Sequence, residues 1–84
     1  MSDRQQRQRN RQALLDSVYE AAEADVRVFV PAFDLGSALG MDAGETGRAL
    51  AYLEEKGLLM VDDFKTAIVR ITATGIDCVE DGAR

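Results

Sequence analysis

The chain has 84 residues, 46% of them hydrophobic and 30% charged: enough for one small core, too few for two, and without an apolar run that could span a bilayer. It contains no histidine, which excludes imidazole metal sites and Ser-His or Cys-His nucleophile pairs, and its single cysteine, Cys78, excludes an internal disulfide. The formal net charge is −5, but the basic groups are uneven: Arg4, Arg7, Arg9 and Arg11 stand against Asp3 alone, giving an arm of +3, while six basic and fourteen acidic residues leave the body at −8.

Residues 2–12 hold no apolar side chain, so the basic stretch 1–11 reads as an arm and 12–84 as the folded domain. The arm is either solvated or a helical extension, because arginine and glutamine favour helix and neither glycine nor proline interrupts. Leu14, Leu15, Val18, Tyr19 and Ala22 then form one stripe of an amphipathic helix over about 11–24. Val26, Val28 and Val30 alternate with Arg27 and Phe29, which predicts a short strand that Pro31 closes. A second helix follows over about 32–39, with Phe33, Leu35, Ala38 and Leu39 as its apolar set and Gly40 at its left-handed end. Asp42 and Glu45 have the spacing of a capping box and open a third helix over about 43–56, whose Thr46, Ala49, Leu50 and Leu53 face one way and which Gly57 ends. Leu58 to Val61 and Ala67 to Ile71 read as two strands of an antiparallel hairpin around the turn residues 62–66. Thr72 caps a last helix reaching about Glu80, with Ile76 and Val79 inward. The expected class is α+β: a three-helix core, a small antiparallel sheet and a short C-terminal helix.

Leu35, Ala38, Leu39, Gly40 and Met41, followed by Leu50, Leu53, Glu54, Glu55, Lys56, Gly57, Leu58 and Leu59, resemble the helix-turn-helix and first wing strand of the winged helix-turn-helix superfamily. Ile71, Thr72, Ala73, Thr74, Gly75, Ile76 and Asp77 are similar to the step after the wing in MarR-like regulators, and the resemblance covers roughly 26–81 without a gap. In that pattern Gly40 permits the sharp turn, and Leu39, Leu50 and Leu53 join the two helices. The resemblance implies double-stranded DNA as partner, with the third helix in the major groove and the hairpin on the backbone or minor groove. Its candidate contacts are Arg48, Tyr52 and Thr46 on the third helix, and Lys65, Thr66 and Arg70 on the hairpin. Arg48 suits guanine or phosphate, Tyr52 a phosphate, and Glu45 either a cytosine amine or an ion pair with Arg48. Arg4, Arg7, Arg9 and Arg11 in the arm add phosphate or minor-groove contacts, or else pair with acidic groups of the same or a second copy.

One such domain buries too little surface for high specificity, so a homodimer is expected, acting as a transcriptional regulator or DNA-associated accessory factor. The competing reading keeps the fold and replaces DNA by a protein: the body is acidic, the outward face of the third helix is sparse, and Phe64 at the hairpin either packs on the sheet or anchors a partner. No nucleophile and base pair, metal cluster or phosphate-binding glycine loop can be assembled, so no enzyme activity and no cofactor are expected. Cys78 reads as a small apolar filler. With one cysteine and no apolar leader near Met1, the expected location is cytoplasmic.

Overall fold

The computed structural model describes residues 3–63 and 65–82. In chain order these form α1 (Asp3–Ala21), β1 (Val30–Pro31), α2 (Ala32–Ala38), α3 (Ala43–Glu55), β2 (Leu59–Asp63), β3 (Ile68–Ile71) and α4 (Ala73–Gly82). The class is α+β, four helices with a three-stranded antiparallel sheet in the order β1-β3-β2. Leu14, Leu15 and Val18 of α1 meet Leu50 of α3 and Leu59, Val69 and Ile71 of the sheet in a single buried cluster.

Of the two forms open to the arm, the chain takes the helical one: residues 3–11 are the first half of α1. Its exposed side is braced by hydrogen bonds one turn apart, Gln6 Nε2 to Asn10 Oδ1 and Gln12 Nε2 to Asp16 Oδ1, both 3.0 Å. At the other end the N–H of Glu23 donates to the Glu20 carbonyl and that of Ala24 to the Tyr19 carbonyl, each at 3.1 Å, which is the bond pair of a Schellman motif. Tyr19 also donates through its hydroxyl to Glu80 Oε2 of α4 at 2.9 Å, and this bond, with the nearby Glu80 charge, raises its pKa above the ordinary 10.0.

The strand expected over 26–30 is shorter and displaced. Glu23 and Ala24 both take positive φ (53° and 57°), and Asp25 then organises a turn: its carbonyl accepts from Val28 N (3.2 Å) and its carboxylate from the N–H and guanidinium of Arg27 (2.8–3.1 Å). A local side-chain bond of this kind competes with sheet formation, and the valine alternation cannot override it. Only Val30 and Pro31 pair with β3, opposite Val69 and Ile68. Pro31 therefore lies within the ladder rather than beyond it, which β1 tolerates because an edge strand can present a residue that has no N–H.

The turn between α2 and α3 repeats the Schellman pair, Gly40 N to Ser37 O (3.0 Å) and Met41 N to Gly36 O (2.9 Å), with Gly40 at φ 80°. The joint between the helices differs from the expected one. Leu39 is exposed, and the close approach is made by Gly36, where an added β-carbon would collide with the Thr46 hydroxyl. Asp42 Oδ1 accepts from Glu45 N at 2.8 Å while Asp42 N donates to Glu45 Oε1 at 3.2 Å, so the capping box is complete.

Gly57 (φ 76°) ends α3 with a third Schellman pair, Gly57 N to Glu54 O and Leu58 N to Leu53 O, both 2.9 Å. In the hairpin Leu59 faces Ile71, Met60 faces Arg70 and Val61 faces Val69, and a bulge between Val61 and Asp63 leaves Asp62 over. Asp62 and Asp63 thus extend β2, and Ala67, expected as the first residue of the returning strand, is a buried turn residue at φ 51° whose carbonyl accepts from Ala32 N at 2.8 Å. Val61 N points away from β3 and donates to Glu54 Oε2 of α3 at 3.0 Å. Thr72 Oγ1 accepts from Gly75 N (2.9 Å) and donates to the Gly57 carbonyl (2.6 Å), joining the start of α4 to the end of α3. Among the described residues no helix is long and apolar enough to cross a membrane.

Candidate nucleic-acid interface

With Thr46, Leu50 and Leu53 turned to the core, α3 presents Gly44, Arg48, Ala51, Tyr52 and Glu55 outward, all exposed, and Glu45 and Gly47 half-buried at the margins. Thr46 requires a correction. It is 1% exposed, its hydroxyl donates to the Asp42 carbonyl at 3.0 Å, and it packs on Gly36, so it is a joint between α2 and α3 and cannot reach a nucleic acid.

The basic half of α1 lies against this helix. Arg11 places its guanidinium carbon 4.0 Å from the centroid of the Tyr52 ring, and Lys56 Nζ approaches the same ring at 5.8 Å. Asn10 Nδ2 donates to Glu45 Oε2 at 3.4 Å. Both Glu45 oxygens are thus engaged, one in the capping box and one with Asn10, and of the two roles open to Glu45 the ion pair with Arg48 is not formed. Arg7, Asn10, Arg11, Glu45, Arg48 and Tyr52 line an open cleft of about 310 Å³ between α1 and α3. Arg4 precedes Arg7 by one turn of α1, whereas Arg9 falls on the other side of the helix.

The hairpin residues are not gathered there. Lys65 and Thr66 are exposed at the turn, where Lys65 N donates to Asp63 Oδ1 at 2.9 Å. Arg70 is half-buried on the outer face of the sheet, paired through Nε with Asp62 Oδ2 at 3.0 Å, 3.6 Å from Met60 Sδ through Nη2, and 5.4 Å from the centre of the Phe29 ring. Arg70 thus supplies the cation that pairs with Asp62. Phe64, the other candidate anchor, lies outside the described residues.

Two participants escape the sequence reading. Asn10 sits in a featureless polar arm, and only its tertiary partner Glu45 gives it a position. Phe29, one residue of the longer expected strand, is 58% exposed and Met60 49%, and the two flank Arg70 from opposite sides. Cys78 is half-buried and lines a second cleft with Gln8, Gln12, Leu15 and Leu58. Among the described residues no three Cys, Asp or Glu side chains are grouped so as to hold a metal ion. No protein-family model, curated protein or solved structure matches the chain.

Proposed function

We propose that the chain is a cytoplasmic winged helix-turn-helix domain that binds double-stranded DNA as a homodimer, serving as a transcriptional regulator or DNA-associated accessory factor without catalytic activity or cofactor. The observation that carries this reading is the packing of the basic half of α1 alongside the exposed face of α3. In a chain of net charge −5, it concentrates cations around the second helix of a helix–turn–helix pair, where a phosphate backbone would run if α3 entered a major groove. Arg48 and Tyr52 would face the DNA, flanked by Arg4, Arg7 and Arg11, with Arg9 on the far side of α1 left to longer-range attraction and Lys65 and Thr66 touching the backbone from the hairpin; Arg70, already paired with Asp62, would serve the hairpin more than the DNA.

The test is a fluorescence titration of labelled duplex with the full chain. Between about 50 and 200 mM salt, affinity should fall on the order of 10²–10³-fold if roughly four to five phosphates are contacted. Replacing the four arm arginines by glutamine should flatten that dependence. A second reading, a protein-interaction module on the same fold, is favoured by the exposed Phe29 and Met60. It expects no duplex binding even at the lower salt.

A further inference from the structure

Three arginines line the cleft between α1 and α3. Arg7 and Arg11 lie one turn apart on α1, Arg48 faces them from α3, and all three line the same space of about 310 Å³. Clefts that hold small ligands begin at about this size, roughly 300 Å³. The chain has fifteen Asp and Glu side chains, yet among the described residues the guanidinium groups of Arg7, Arg11 and Arg48 form neither an ion pair nor a hydrogen bond. The one carboxylate in the cleft, Glu45, is committed to the cap of α3 and to Asn10. Arg11 is held over the Tyr52 ring, which fixes its position and leaves its N–H groups as donors. Like charges gathered without an anion repel one another, and a cleft lined by one sign of charge focuses the field on whatever enters it.

We infer that this cleft is a phosphate site, in which Arg7, Arg11 and Arg48 together grip a single phosphate group. The tetrahedral group suits it better than a carboxylate does. Guanidinium forks arriving from two helices need acceptor oxygens pointing in several directions, whereas a carboxylate offers them in one plane. Under the DNA reading, on which this step rests for the source of the phosphate, the occupant is one backbone phosphate. The arm then acts as a docked helix that completes the α3 face, instead of a free strand reaching into a neighbouring groove. The site's chemistry rests on the cleft alone.

Two measurements on the full chain separate the site from the source. In the first, duplex affinity is followed over a salt series for the parent and for the triple variant Arg7→Gln, Arg11→Gln, Arg48→Gln. If the three share one phosphate, the slope of log K against log salt falls by about 0.9, whereas three separate phosphates would take about 2.7. The larger drop overturns the shared grip, and an unchanged slope removes the cleft from the DNA interface while leaving the DNA reading in place. In the second, inorganic phosphate is titrated against the arginine Nε–Hε resonances. Arg7, Arg11 and Arg48 should move together with one dissociation constant, Arg9 and Arg27 should stay, and acetate at equal ionic strength should move none. That pattern without duplex binding keeps the phosphate site and rejects DNA as its source. Uniform movement of all arginines, or none, overturns the site.

Discussion

The corner between α2 and α3 and the exit of α1 are closed by the same two backbone hydrogen bonds, and they differ in the residue that takes the left-handed turn. Gly40 takes it at the corner, as Gly57 does after α3, while Glu23 takes it after α1 with Ala24 left-handed behind it. A β-carbon in that conformation crowds the following carbonyl, a strain of roughly 1–2 kcal/mol that glycine does not have. The corner is thus relaxed where it turns, and the α1 exit is held in place from its C-terminal side by the Asp25–Arg27 turn and the short ladder of β1 on β3. Conformational suitability and tertiary restraint are two ways to make one motif, and mutation should tell them apart.

The sharpest break is at the corner's close approach. Gly36→Ala drives a methyl into Thr46 and should cost about 3 kcal/mol in urea unfolding, with part of that recovered in the Gly36→Ala, Thr46→Ala double variant. Next come Gly40→Ala and Gly57→Ala. Each new methyl meets nothing within 4 Å, so the loss should be the conformational strain alone, about 1–2 kcal/mol. The α1 exit should respond in the opposite direction: Glu23→Gly relieves the strain and is expected to raise stability by about 0.5–1 kcal/mol, read as a higher Tm. The smallest effect belongs to Asp25. The side-chain bond from Arg27, then the Arg27 backbone N–H and charge, hold its carboxyl at about 2, below the ordinary 3.8. The folded value lies below the unfolded one, so its contribution is present above pH 3.8 and is lost as pH falls through about 2. A series of Tm values against pH should therefore show the parent and Asp25→Asn converging across that window.

The same contrast explains what is legible in the sequence. Gly40, Gly57, the Asp42–Glu45 box and the Thr72 cap are local devices whose residue types announce the geometry, and α2, α3, the hairpin and α4 fall within a few residues of expectation. The region from Glu23 to Phe29 is illegible for a physical reason: nothing about a glutamate advertises a left-handed turn, and the valine period outweighs the one-residue signal of Asp25. The cleft is half legible. Arginines at 4, 7 and 11 share a face if the arm is helical, but that helix is secured at Asn10 and Arg11 by Glu45 and Tyr52, some 35 to 41 residues away in the chain. Thr46 reads from sequence both as a core residue and as a DNA contact, and only its fit against Gly36 decides between them.

The bond from Val61 N to the Glu54 carboxylate has a consequence for how molecules of this protein meet. β2 is an outer strand, and its unpaired N–H groups would ordinarily invite a strand from another chain. Glu54 occupies one such donor from the helix side, and the bulge at Asp62 bends the strand just beyond it. Both features disfavour extension of the sheet along this border by a strand from a second copy.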